Sequence, residues 1–317
     1  MTIARFEVFS HVVEQGSFTK AAEKLNMTQS AVSHAIASLE SEWGVALLIR
    51  DRRRGLLLTE VGQKMLIPMR EILNQMEIIK QEAALASNLE AGTIRIGSFP
   101  SASANILPSI ISKFNQKHPN IAFRFYEGTY EEILEWFETG VIDIGFVIQQ
   151  NKELNLHIVP LVKDKMVVAF PADHRFQRED VIDVHDLQEE DFIMPKGLYR
   201  ANVEEIFEQA QVTPRIRFEV QDCNTISSMV QEGLGVTIGP ELSFKNQPNI
   251  GIGNLKQSSW RKVALASPPL QCTSPAVQAF FTVAKTMFAR TGEQAQGSGS
   301  IDDECAYTEM SGFLAKG

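Results

Sequence analysis

Two groups of polar side chains have the types and spacing of a chemical surface. From Gln29 to Glu40 the residues Ala31, Val32, Ala35, Ile36 and Leu39 recur at helical spacing, leaving Gln29, Ser30, Ser33, His34, Ala37 and Ser38 on the opposite face. An amide, three hydroxyls and an imidazole among small side chains can approach a partner closely and exchange hydrogen bonds with it. Shortly after, Arg50, Arg52, Arg53 and Arg54 fall within five positions, interrupted only by Asp51. Arginines at that density can clamp phosphate. Other chemistries lack their residues. There is no GxSxG and no GxxxxGK[ST], and GLGVTIG around Gly233 fails the GxGxxG spacing. The six histidines show neither HxxxH nor HExxH, so neither a metal nor another cofactor is expected.

Composition bounds what these groups belong to. The chain has 317 residues, 44% hydrophobic and 22% charged, which predicts two or three soluble domains. No apolar run is long enough for a membrane span, and the N-terminus does not read as a signal peptide, so a cytoplasmic protein is expected, with no membrane partner. Cys223, Cys272 and Cys305 are widely spaced and suit a reducing compartment. The net charge of -9 argues against nucleic acid only on average: residues 1–58 carry seven Lys/Arg against six Asp/Glu, whereas 91–317 carry twenty against twenty-eight.

Three short helices must position the first group. Ile3, Phe6, Phe9, Val12 and Val13 give the first, stopped by Gly16; Ser17 caps a second containing Ala21, Ala22 and Leu25; Thr28 caps the third. Two short helices joined by a tight turn describe a helix-turn-helix, whose second helix can lie in a major groove. Leu47–Arg50 and Gly55–Leu58 read as two strands around the arginine turn, a wing. The plainer alternative is a generic helical subdomain with a solvated charged loop. After Thr59, the residues Val61, Met65, Met69, Ile72, Met76, Ile79 and Ala83 repeat at spacings of three and four. A helix from Glu60 to Asn88 would be about 43 Å long, too long to stand without a partner along that stripe. Met65, Met69, Ile72, Met76 and Ile79 are therefore expected to join two copies of the chain, with a bend near Pro68.

Beyond Gly92 strands and helices alternate: strands at 93–97, 121–126 and 141–148 with helices at 104–117 and 131–139, then a second series of strands beginning at Met166. That rhythm predicts parallel α/β in two lobes with a cleft between them. The fold class is thus α/β overall, with domains at 1–58 (winged helix), 59–89 (linker helix) and 90–290 (two lobes). The stretch 291–317, containing GEQAQGSGS, has the composition of a flexible tail, natural or appended.

The run GSFTKAAEKLNMTQSAVSHAIASLE, followed by LLIRDRRRGLLLTEVGQ, closely resembles the N-terminal signature of LysR-type transcriptional regulators, through Ala21-Ala22, Leu25, Gln29 to Ser33, Leu39-Glu40 and Thr59 to Gly62. Across the rest, Leu107-Pro108, Phe114, His118-Pro119, Gly140, Asp143, Gly233 to Val236 and Pro240 are similar to the family's effector-binding domain, whose lobes are like those of periplasmic binding proteins. The resemblance implies a bacterial regulator that binds a pseudo-palindromic promoter site on double-stranded DNA as a dimer of dimers, a homotetramer, and answers to a small polar or anionic metabolite, with RNA polymerase as a further candidate partner. It places Gln29, Ser30, Ser33 and His34 at base and phosphate contacts, with the capping residues Ser17 and Thr28 beside them and Arg50, Arg52, Arg53 and Arg54 at the wing. Glutamine suits adenine, and arginine suits a narrow minor groove. At His34 the family more often has arginine or glutamine. For the effector it points between the lobes, to Ser98, Ser101 and Thr129 on one side and Lys196, Gly197 and Asn224 on the other. Capping is the alternative role for Ser101 and Thr129. Cys223, just before an expected cap at Asn224, adds a redox alternative. An enzyme or an exported solute-binding protein built on the α/β part is the rival class, and it lacks a catalytic motif or a leader.

Overall fold

Local capping chemistry divides the first sixty residues as expected. The structure, a computed structural model, describes residues 2–51, 55–87, 91–149, 155–197, 199–245 and 247–294. Helix α1 (Thr2–Gln15) stops at Gly16, whose φ is +58. Ser17 Oγ accepts from the Lys20 amide to open α2 (Phe18–Leu25), which ends on a left-handed Asn26. Thr28 Oγ1 accepts from the Ala31 amide to open α3 (Gln29–Trp43). Strands β1 (Leu48–Asp51) and β2 (Gly55–Leu58) pair antiparallel with Leu48 opposite Leu58, and Thr59 caps the long helix α4 (Glu60–Ala86), which continues through Pro68.

The stripe on α4 is only partly free, which corrects the expectation for Met65 and Met69. Met69 is 3% exposed and, with Leu66, completes the core of Phe9, Val12, Val32, Ile36 and Leu39; Met65 packs against the same cluster. The physical reason is that α1 lies along the first turns of α4 and covers that side. Further on the cover ends, leaving Ile72 42% and Ile79 59% exposed.

The rest forms two lobes. The first contains β3 (Gly92–Ser98), α5 (Pro100–Asn105), α6 (Leu107–Asn115), β4 (Ile121–Glu127), α7 (Tyr130–Glu138) and β5 (Ile144–Ile148). The expected helix at 104–117 is split at Ile106, because Pro108 in the first turn of α6 lacks the amide that would continue α5. Strand β6 (His157–Pro171) leads to the second lobe: β7 (Val181–Ile182), β8 (Asp191–Pro195), α8 (Arg200–Ala210), β9 (Arg215–Val220), α9 (Cys223–Gln231), β10 (Thr237–Pro240), α10 (Glu241–Phe244) and β11 (Ile250–Leu255). Strand β12 (Trp260–Ser267) returns to the first lobe, where α11 (Pro275–Gln294) packs on α6 and β6.

The sheet runs β4-β3-β5-β12-β6-β11-β7, with β10 also on β6, and β8 and β9 form a separate parallel pair. It is mixed and not wholly parallel as expected. β3 runs parallel to β4 and β5, but β12 is antiparallel to β5 and β6. The fifteen-residue β6 explains this: residues 157–165 pair with β12, whereas 166–171 pair with β10 and β11. One strand thus belongs to both lobes, each with its own core. No helix among the described residues is long and apolar enough to cross a membrane. Arg52, Arg53, Arg54, the expected boundary between 89 and 90 and residues 295–317 lie outside the described residues.

Candidate nucleic-acid interface and effector cleft

On α3, Thr28, Gln29, Ser30 and His34 are exposed and Ser33 is half-buried, while Val32, Ile36 and Leu39 face the core. The structure therefore gathers Gln29, Ser30 and His34 on one outward face, with Ser33 at its edge toward the wing. Thr28 Oγ1 lies 3.0 Å from Ser30 Oγ, so the cap also orients that hydroxyl. Ser17 sits half-buried at the start of α2. Arg50 lies in β1, its backbone opposite Leu56. A residue that spacing gave no role supplies the link between helix and wing: Glu40 Oε1 accepts from the Leu47 amide at 2.8 Å and the Leu48 amide at 3.2 Å. One carboxylate on α3 thereby satisfies the two amides that start β1, so recognition helix and wing hold a fixed relation.

The expected effector residues stand at strand and helix ends of the two lobes. Ser98 ends β3, and its carbonyl accepts from the Gly128 amide at 3.1 Å, which puts Thr129 beside it. Thr129 is a cap: its hydroxyl accepts from the Glu132 amide while Glu132 reaches back to the Thr129 amide at 2.7 Å. Ser101, 7% exposed, accepts a hydrogen bond from Arg261 Nη2 at 2.8 Å. Across the cleft, the Lys196 amide donates to the Val220 carbonyl at 2.8 Å, its ammonium lies 3.8 Å from Glu219, and Gly197 takes a φ of +83. The expected cap at Asn224 is corrected. Asp222 caps α9, accepting from the Thr225 amide at 2.8 Å and hydroxyl at 2.7 Å, and these bonds hold its carboxyl below the ordinary range; Asn224 lies inside the first turn and is exposed. The Cys223 sulfur lies 3.2 Å from the Tyr199 hydroxyl, whose pKa is pushed well above its ordinary value by burial first and the neighbouring thiol next.

Where the two lobes join lies a buried ion pair absent from the sequence expectations. Arg261 on β12 meets Asp164 on β6 at 2.7 Å, with side-chain exposures of 5% and 1%. Its guanidinium stacks 5.2 Å above the Phe99 ring. Asp164 also accepts from the Leu242 amide of α10 at 3.1 Å, and Asn105 of α5 donates to the Leu242 carbonyl at 2.8 Å. The cluster joins α5 of the first lobe, both crossover strands and α10 of the second. Its sequence signal was three charged residues, Lys163, Asp164 and Lys165, set between apolar ones in LVKDKMVV. Ser101 accepts from Arg261, which leaves its own O–H as a donor.

Two family models match: "Bacterial regulatory helix-turn-helix protein, lysR family" over residues 3–63 and "LysR substrate binding domain" over residues 87–289. The chain is 41% identical over 291 residues to the uncharacterized HTH-type transcriptional regulator YvbU of Bacillus subtilis (strain 168), covering 91% of this chain and 99% of that protein. Among solved structures, full-length CbnR complexed with its target DNA aligns with a TM-score of 0.65 at 20% identity, over 90% of this chain and 99% of that one. The effector-binding domain of QuiR in complex with shikimate aligns at 0.58 and 22% identity, over 63% and 99%. Both family models are matched in turn along one chain, and the chain belongs to the LysR family of DNA-binding transcriptional regulators that carry an effector-binding domain.

Proposed function

We propose that the chain binds a pseudo-palindromic promoter site through α3 and the wing, as a dimer extended to a tetramer, and answers to a small polar or anionic metabolite held between its lobes. The observation that carries the reading is the outward face of Gln29, Ser30 and His34, where no partner among the described residues occupies the Gln29 amide, on a helix tied to the wing by Glu40. The DNA bound to CbnR and the shikimate bound to the QuiR domain support the two halves of the proposal for a chain of the same fold. The test is selection of duplexes by the protein from a random pool, followed by binding of the selected duplex and of an unrelated one. Gln29→Ala is expected to cost about 1 to 3 kcal/mol on the selected duplex and little on the other, since a bidentate amide reads a base and phosphate contacts do not. Equal losses on both would remove Gln29 from base readout.

The partner-facing part of α4 reduces to Ile72, Met76 and Ile79, since Met65 and Met69 pack on their own domain. Ile72→Glu with Ile79→Glu is expected to halve the mass of the basic assembly in sedimentation, because two exposed apolar residues would then carry charge into the seam. An unchanged mass would place the dimer contact elsewhere.

A further inference from the structure

A crevice of about 1130 Å³ lies between α1, α4 and the first lobe, outside the effector cleft. Polar ties span it. Tyr126 on β4 donates its hydroxyl to Glu14 Oε1 of α1 at 3.0 Å, and Glu14 Oε2 lies 3.0 Å from His11 Nδ1. The hydrogen bond from His11, against the opposing effect of burial and with help from Tyr126, pulls the Glu14 carboxyl down to about 2, so the acceptor is fully charged at neutral pH. Arg70 on α4 donates to Ser10 Oγ of α1 at 3.3 Å and to the Thr139 carbonyl of the first lobe at 3.2 Å. Arg95 on β3 donates to Asn74 Oδ1 of α4 at 2.7 Å while its guanidinium grips Asp143 and the Gly140 carbonyl. Lower on α4, the buried Gln81 accepts from the Ala276 amide of α11 at 3.4 Å and fills the space over Gly92, where an added Cβ would meet it at 2.5 Å.

These ties change what α4 can do. A helix joined to its neighbours only at its ends would be a lever, letting the winged helix swing. Here its first half is part of the winged-helix core, its second half is bonded to the first lobe, and α1 reaches that lobe directly through Glu14. Each tie that leaves α1 and α4 for the effector domain ends on the first lobe. The elements that receive them also carry expected effector residues: β3 holds Arg95 at its middle and Ser98 at its end, and α7, capped by Thr129, leads into the Thr139 carbonyl that Arg70 holds.

We propose that Glu14, Arg70 and Asn74 are positioning residues which, with Tyr126 and Arg95, lock the winged helix onto the first lobe of the same chain and so set the spacing at which paired recognition helices meet DNA. The consequence for spacing rests on the two-copy reading given above; the lock itself does not. Loosening it frees the winged helix without touching the DNA-facing residues or the cleft.

The experiment uses the full chain carrying Tyr126→Phe, which removes one hydroxyl, Asn74→Ala, and both together. The probe is a duplex selected by the wild-type protein from a random pool, and a series with base pairs inserted between its half-sites. Wild type is expected to lose at least about tenfold in affinity when the half-sites shift by a few base pairs, because a two-fold assembly reads a fixed separation. The double variant should bind the original duplex within about threefold and lose less than about threefold across the series. Glu14→Gln, which keeps an acceptor for Tyr126, should fall between. X-ray scattering of the free protein should show a larger radius of gyration for the double variant with unchanged circular dichroism. A spacing profile and radius both identical to wild type would overturn the proposal. Sedimentation of the wild-type complex separates the two readings: one chain per duplex would fail the two-copy reading, and the scattering comparison alone would then decide the lock.

Discussion

Asp164→Ala is expected to destabilise the effector domain by about 3 to 5 kcal/mol, the range for stripping one partner from a buried ion pair. Arg261 cannot move to water without leaving the space between β12, β6 and the Phe99 ring, and its one other described bond, to Ser101, offers a neutral oxygen in place of a charge. The Leu242 amide loses its acceptor in the same step, which adds the cost of an unsatisfied donor. The measurement is urea denaturation of the full chain followed by a signal from the two-lobed domain, since the winged helix has its own core and can unfold separately. Arg261→Met added to Asp164→Ala should recover much of the loss, because the penalty is mainly the orphaned charge and not the missing contact. If Asp164→Ala alone cost under about 1 kcal/mol, water would be reaching the guanidinium, and the pair would not act as a buried one.

The same pair shows where sequence reading stops. Ser17, Thr28 and Thr59 were legible because each accepts from an amide three residues on, and Gly16 because its own amide closes onto the Val13 carbonyl, so the chemistry and its consequence share one stretch of chain. Asp164 and Arg261 are 97 positions apart, and the partner that makes a mid-strand aspartate tolerable is invisible until β6 and β12 are paired. The first half of β6 was missed for a related reason. Pro160 and three charged residues break the apolar alternation, and pairing on both lobes, not local propensity, makes it a strand. At Asn224 the error was between two residues of the same capping chemistry, and Asp222 won through the Thr225 hydroxyl. For Met69 the periodicity correctly said that the face is covered and could not say by what. The outward set on α3 was legible for the opposite reason: once the inward face of a short helix is known, what remains must face out.

Gly62→Ala is expected to lower affinity for the selected duplex by about tenfold or more, as overpacking by one methyl costs about 1 to 3 kcal/mol and more where backbone is struck. Gly62 entered the sequence reading only as part of a family-like run; the structure supplies the reason for it. A Cβ there would lie 2.2 Å from the Leu47 carbonyl oxygen and 3.1 Å from Leu58 Cδ2. That carbonyl has no freedom to retreat, because it accepts from the Thr59 amide at 3.0 Å and the Thr59 hydroxyl at 3.3 Å. The helix must therefore lift from β1, drawing Leu66 out of the core one turn on and Met69 after it, and the strand that Glu40 fixes to α3 loses its backing. The effector domain has its own cores and should melt as in wild type. Gly16→Ala is the control: its φ of +58 makes any side chain strained by about 1 to 2 kcal/mol, yet nothing lies within 4 Å of the added Cβ, so the winged helix should weaken without losing its shape. Fluorescence anisotropy with the selected duplex, beside thermal unfolding of both variants, separates the two causes. Wild-type affinity in Gly62→Ala would mean that α4 can shift on β1 without disturbing the wing, and the contact would then be tight packing with no consequence for DNA.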